Sequence, residues 1–107
     1  MTDSVAEHEP VNMEENARAA AQYLKGIAHE GRLMILCHLY AGEKSVGTLE
    51  ELLGIRQAAV SQLLSRLREE GLVQYRREGK TVFYRLHCDD TRTLIEFLYN
   101  KFCAPPE

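Results

Sequence analysis

Residues 45–86 read SVGTLEELLGIRQAAVSQLLSRLREEGLVQYRREGKTVFYRL, and their punctuation decides the fold. Ser45 is the kind of residue whose side chain accepts from the free N–H groups of a helix start, and Leu49, Leu52 and Leu53 follow at helical spacing. Gly54 supplies the left-handed residue that closes such a helix, and a second helix begins two residues later. In that second helix Val60, Leu63, Leu64 and Leu67 fall on one side. Ala58, Gln62, Ser65 and Glu69 centre the other, flanked by Ser61 and Arg66. Two short helices joined by a tight glycine turn predict a helix-turn-helix. Gly71 ends the second helix, and the pattern becomes extended in LVQYRR and TVFYRL, both rich in valine and aromatics. Glu78-Gly79-Lys80 turns between them, which predicts a two-stranded basic wing.

Outside this stretch the pattern is helical. Asn12 and Glu15 have capping-box spacing, and Met13, Ala17, Ala20, Leu24 and Ile27 recur at three and four residues, so a first helix is expected from about Asn12 after an irregular, flexible arm over 1–11. A second is expected over Glu30–Tyr40, with Leu33, Leu36, Cys37 and Tyr40 on one face and Gly42 placed to end it. Asp89 and Asp90 favour the start of a last helix carrying Leu94, Ile95, Leu98, Tyr99 and Phe102, before Pro105 and Pro106 stop it. The expected fold is therefore mainly α with a two-stranded β wing, in ααααββα order: one domain over 12–104 and a tail at 105–107. The first and last helices carry more apolar surface than a domain of this size needs, and are read as a dimerisation layer.

With 107 residues and an apolar fraction of 45%, the chain can build one packed core and has no room for a second catalytic domain. No apolar run approaches the roughly 18 residues of a membrane span, and the acidic start MTDSVAEHEP is unlike a secretory leader, so a cytoplasmic protein is expected. The formal net charge of -3 hides a segregation. Residues 56–85 hold Arg56, Arg66, Arg68, Arg76, Arg77, Lys80 and Arg85 against Glu69, Glu70 and Glu78, a local net of +4, while acids prevail on both sides. Cations gathered where phosphates would arrive, in a chain otherwise acidic, suit site-specific binding to duplex DNA. Arg56, Gln57, Ser61, Gln62, Ser65 and Arg66 can present donors to bases and backbone, and Arg76, Arg77 and Lys80 lie near the hairpin tip. Taken singly, each is equally a solvated polar face; together they point to DNA.

The order of elements, together with LKGIAHEGRLMIL, SVGTLEELLGIRQAAVSQLLSRLREEGLV and YRREGKTVFYRL, resembles the ArsR-type (arsenic-repressor) winged helix-turn-helix transcriptional regulators over roughly residues 13–103. The resemblance implies a homodimeric repressor on a palindromic double-stranded operator, released by an inducer. Leu63 departs from the pattern, standing where many relatives carry a histidine, and is expected to pack. Many members of that family sense metals. Here the third helix reads Ser45, Val46, Gly47 in place of a cysteine pair, the last helix contains no histidine, and His8, His29, His38 and His87 lack ligand spacing, so no metal site and no cofactor is expected.

Three cysteines without a CxxC spacing make no secreted disulfide framework. The placement of Cys37 and Cys103 is similar to that in the BigR/SqrR-like branch, whose members sense persulfides and whose two thiols become joined within one subunit. That resemblance implies a redox-sensing pair, with reactive sulfur species as inducer and a polysulfide or disulfide as the linked product. Cys103 shares a face with Ile95 and Tyr99 and can turn toward the second helix if the two pack. On residue type alone a buried cysteine is more often a small hydrophobe than a reactive centre, and it is the resemblance that reverses the preference; Cys88 has no counterpart in the pair and reads as a bystander. Other readings are a metal-responsive repressor, a small thiol-redox or sulfurtransferase protein, and a constitutive DNA-binding module with inert cysteines. No nucleophile motif supports an enzyme.

Overall fold

A computed structural model describes residues 3–103, with side chains from Asn12 onward. The tail expected at 105–107 lies outside the described residues. The elements are α1 (Asp3–Ile27), α2 (Glu30–Tyr40), β1 (Lys44–Ser45), α3 (Val46–Leu53), α4 (Gln57–Glu69), β2 (Val73–Glu78), β3 (Thr81–Leu86) and α5 (Asp89–Phe102). The three strands form one antiparallel sheet in the order β1-β3-β2.

Local chemistry explains the boundaries. His29 caps α2 with its Nδ1, which accepts from the N–H groups of Gly31 and Arg32 at 3.1 and 3.3 Å. Arg32 then reaches back to the carbonyls of Gly26 and Lys25, satisfying acceptors left free at the end of α1. Ser45 caps α3 by accepting from the Thr48 N–H at 3.0 Å. Gly54 at φ 69° closes that helix, its N–H donating to the Glu50 carbonyl. A left-handed residue there reverses the chain in a turn short enough to hold α3 against α4.

Two expectations need correction. The sheet has a third strand, because Lys44 and Ser45 pair with Tyr84 and Phe83 of β3; two residues are too few to show an alternating pattern. Helix α1 begins at Asp3 rather than after residue 11, and its helical geometry breaks at Asn12, with φ -127° and ψ 27°. The capping-box spacing at Asn12 marks the kink in the helix rather than its start.

The core is centred on α2, whose Ile35, Leu36 and Leu39 are fully buried, where Leu33, Cys37 and Tyr40 were expected to share the inward face with Leu36. Those three are half-buried at its margin, because α2 packs against α3, α4, α5 and β3 and is enclosed on more than one side. Ile27 of α1, Val60, Leu64 and Leu67 of α4, Leu49 of α3, Leu72, Val73 of β2, Tyr84 and Leu86 of β3 and Ile95 of α5 complete it. Burying each of the large aliphatic side chains contributes roughly 1.5 to 3 kcal/mol. Leu63 packs against this cluster, as expected of it. By contrast Met13 and Leu24 of α1 and Phe97 and Phe102 of α5 are exposed. Tyr23 of α1 and the buried Thr91 of α5 share a hydrogen bond of 3.1 Å, tying the two helices together.

Candidate nucleic-acid interface and thiol pair

Helix α4 turns its aliphatic side inward, which leaves Gln57, Ser61, Gln62 and Ser65 exposed on the opposite side and Arg56 exposed at its N-cap. Arg56, Ala58, Ser61, Gln62 and Ser65 line one shallow open hollow. A second hollow brings Gln57 together with Lys80 and Thr81 of the wing and the start of α3. Helix and wing thus form one continuous surface, short polar groups on the helix and cations at the hairpin. Bidentate groups such as Gln62 can read base edges in a major groove, while cations beside them meet phosphates. Arg77 and Lys80 are exposed and form no ion pair among the described residues.

Two residues expected to contact DNA are engaged in ion pairs. Arg66 is half-buried and its Nε donates to Glu70 at 3.2 Å, a carboxylate that also accepts from Gln22 of α1. Arg76 is held by a bidentate pair with Glu43, both bonds at 2.9 Å, and by Glu78 at 3.0 Å, with its guanidinium 4.5 Å from the Phe83 ring centroid. The hydrogen bond from Arg76 holds the Glu43 carboxyl below the usual carboxylate range. Arg76 is therefore a strut between the α2–β1 link and the wing. Glu43 itself gives no signal in the sequence, being one of many surface acids, and only its pairing with Arg76 assigns it a role. Arg68, stacked 4.6 Å over the Tyr75 ring, carries no sequence signal for that role either.

The structure brings Cys37 of α2 and Cys103, at the end of α5, to one cavity. Tyr99 forms part of its wall, stacked on Tyr40 of α2 at 5.6 Å, and Arg92 of α5 donates to the Tyr40 carbonyl at 3.2 Å. These interactions fix α5 against α2, Tyr99 within one turn of Cys103. Burial pushes the Cys37 thiol up from its ordinary value, and the neighbouring Cys103 thiol adds to the rise by charge and hydrogen bonding. Both are free thiols. Cys88, away from this pair, is exposed at the N-cap of α5. Its Sγ lies 3.5 Å from the Thr91 hydroxyl, and hydrogen bonds from Thr91 push its thiol below the ordinary value. Among the described residues no group of three His, Cys, Asp or Glu side chains is placed to hold a metal, and no helix is long and apolar enough to cross a membrane.

A helix-turn-helix with a wing, joined in one polar and cationic face, defines a DNA-binding regulator. The description "Bacterial regulatory protein, arsR family" matches residues 29–75. The Biofilm growth-associated repressor of Agrobacterium fabrum is 54% identical over 95 residues, covering 89% of this chain and 81% of the relative. The Transcriptional activator HlyU of Vibrio cholerae is 45% identical over 91 residues, 85% of this chain and 84% of that protein. Its solved reduced form has a TM-score of 0.83 at 44% identity, over 87% of this chain and 98% of that one. The transcriptional repressor BigR from Xylella fastidiosa gives 0.79 at 45% identity, over 90% of this chain and 95% of that one. A homodimeric winged helix-turn-helix domain from Mycobacterium bovis gives 0.75 at 28% identity, over 88% and 87%. The chain belongs to the arsR family of bacterial regulatory proteins. It is a winged helix-turn-helix transcription regulator, and its relatives are regulators rather than enzymes.

Proposed function

We propose that the protein is a homodimeric repressor that reads a palindromic operator with α4 and the wing and leaves DNA when Cys37 and Cys103 are linked by oxidised sulfur. The single observation that carries the sensing half is the convergence of these two thiols in one cavity, on elements distant in sequence, with Cys88 outside it. A pair held this way suits a two-step exchange in which one thiolate takes sulfur from a donor and the other thiol resolves the product. Reactive sulfur species are the inducer in this reading, and the linked product is an intrasubunit disulfide or polysulfide.

Repression is proposed because the Agrobacterium fabrum and Xylella fastidiosa relatives are named repressors. The Vibrio cholerae relative is named an activator, so the sign of regulation is part of what is tested. Dimerisation is proposed from the exposed apolar residues of α1 and α5, Met13, Leu24, Phe97 and Phe102, with a homodimeric relative in support. A twofold axis there would set two α4 helices about 34 Å apart, one DNA turn. Base recognition is assigned to Gln57, Ser61, Gln62 and Ser65, and phosphate binding to Arg56, Arg77 and Lys80. Arg66 and Arg76 act through their ion pairs.

The link to DNA release is short. Glu43 lies between Ala41 and Lys44, which border the thiol cavity, and it grips Arg76 of the wing. A linkage that draws α5 onto α2 acts on that segment and hence on the wing, and a coupling of about 1 to 3 kcal/mol is enough to change occupancy. The test is intact mass spectrometry paired with operator binding after treatment with a persulfide donor, with peroxide and with zinc. Linked, DNA-free protein after persulfide supports the reading. Release by zinc without a mass change would replace it with a metalloregulator.

A further inference from the structure

Helix α1 meets the end of α4 where the buried Gly26 faces Glu70, the C-cap residue of α4. A Cβ at residue 26 would stand 2.7 Å from the Glu70 Cγ and 3.3 Å from the Glu70 Cβ, so the approach depends on a glycine. The Gly26 carbonyl accepts from the Arg32 Nε at 2.6 Å, which fixes this socket from α2 as well. The Glu70 side chain is only 17% exposed. Its Oε2 accepts from Gln22 Nε2, one turn before Gly26 on the same side of α1, at 3.3 Å, and from Arg66 Nε, one turn back on α4, at 3.2 Å. Gln22 supplies the one side-chain hydrogen bond between α1 and α4 among the described residues. The end of α4 gives no reason of its own for this acid. The helix dipole opposes a carboxylate at a C-terminus, and Gly71 at φ 74° already closes the helix.

The joint lies at the far end of α4 from the residues that face outward for DNA. At about 1.5 Å per residue, Gln57 is roughly 20 Å along the helix from Glu70. A tilt of about 10° at the Glu70 end therefore moves Gln57 by roughly 3.5 Å, about one base-pair step. The aliphatic side of α4 holds it to the core by apolar burial, which is non-directional. A carboxylate seated over a glycine and shared by two donors is directional, and fixes an angle. On its other side α1 is joined to α5 by the hydrogen bond between Tyr23 and Thr91, so the angle that Glu70 fixes is that between α4 and the α1–α5 layer.

We infer that Glu70 is a positioning residue for operator spacing: seated on Gly26 and held by Gln22, it sets the angle of α4 to the dimer layer and so the spacing of half-sites that the protein accepts. The inference rests on the dimeric, palindrome-reading function proposed above and adds the residue that sets its spacing. Arg66 serves the same end by holding the carboxylate from within α4.

The test selects bound DNA from a randomised duplex library with the full-length protein and reads both the half-site sequence and the half-site spacing by sequencing. Wild-type protein is expected to return paired half-sites, with one spacing enriched about tenfold or more over spacings one base pair longer or shorter. Glu70→Ala should keep the half-site sequence while that ratio falls to about threefold or less, the loss of roughly one hydrogen bond. Glu70→Gln, which keeps the shape and an acceptor oxygen, should restore the single spacing. Gly26→Ala pushes Glu70 aside and should shift the enriched spacing by about one base pair, and adding Glu70→Ala should abolish the shift because the new methyl then has room. Gln22→Ala, at an exposed position, should relax the spacing less than Glu70→Ala; should a variant at 26 or 70 fail to fold, unchanged spacing with Gln22→Ala overturns the inference. Folded Glu70→Ala protein that keeps the wild-type spacing preference overturns it too, as does an equal loss of affinity for every spacing, the mark of a merely structural residue. If wild-type protein returns only single half-sites, the dimeric reading fails and the spacing assignment with it.

Discussion

The proposed DNA-reading face and the thiol cavity are built in opposite ways. The face comes from one contiguous stretch, in which Ser45 caps α3, Gly54 turns the chain, and the period of α4 turns Gln57, Ser61, Gln62 and Ser65 outward. The cavity joins α2 to the end of α5 and exists only because those helices pack, with Tyr40 on Tyr99 and Arg92 on the Tyr40 carbonyl. A face built from local interactions changes residue by residue, whereas a site built from distant ones needs both partners. Removing either thiol is therefore expected to abolish sensing entirely, while removing one polar side chain from the face only weakens binding.

The largest expected effect follows directly. Cys37→Ser and Cys103→Ser should each abolish linkage and inducer-driven release, with the reduced proteins still binding the operator. A Cys103→Ser protein that is still released by persulfide would dissolve the contrast, and mass mapping would show whether Cys88 had taken over. Next in size is the shared core. Leu64→Ala should cost about 2 to 5 kcal/mol of folding stability, measured by denaturant unfolding, and should damage face and cavity together.

Within the face, Gln62→Ala should cost about 1 to 3 kcal/mol in discrimination between operator and altered sequences. Arg77→Ala and Lys80→Ala should weaken binding to all sequences and flatten the salt dependence by about one unit for each phosphate left without its cation. Arg76→Ala separates a strut from a phosphate-binding residue. Because Glu43 and Glu78 hold that guanidinium, the salt slope should be unchanged while the coupling between thiol linkage and release weakens. A slope lowered as much as by Arg77→Ala would return Arg76 to the DNA-binding set.

The smallest expected effect concerns the two thiol environments. Burial and Cys103 raise the Cys37 thiol, whereas Thr91 lowers that of Cys88. Since the thiolate is the reactive form, alkylation of Cys37 should keep rising about tenfold per pH unit through pH 9. Alkylation of Cys88 should level off below that value. Cys88→Ser should leave the mass change on linkage unaltered. If Cys37 levels off first, its burial is less than the geometry indicates.

Much of this is legible in the sequence. Helix α2 runs over the residues expected of it, Ser45 and Gly54 cap α3, and the wing turns at Gly79. These features depend on backbone groups a few residues apart, where capping and periodicity act. Strand β1 escapes such a reading because two residues carry no pattern, and the Arg76 strut escapes it because its partner Glu43 lies on a distant link.

The sequence by itself determined the helix-turn-helix, the wing and the segregation of positive charge into 56–85, since hydrogen bonds along the chain and the hydrophobic period specify them locally. Only the tertiary structure decided which cations are free. Arg76 is held by Glu43 from a distant link, a pairing that depends on which surfaces the core brings within about 3 Å, whereas Arg66 meets Glu70 one helical turn along its own helix. It also decided that Cys37 and Cys103 share a cavity while Cys88 stands apart. Packing of α5 on α2 sets the first, and the position of Cys88 at the N-terminus of α5 sets the second.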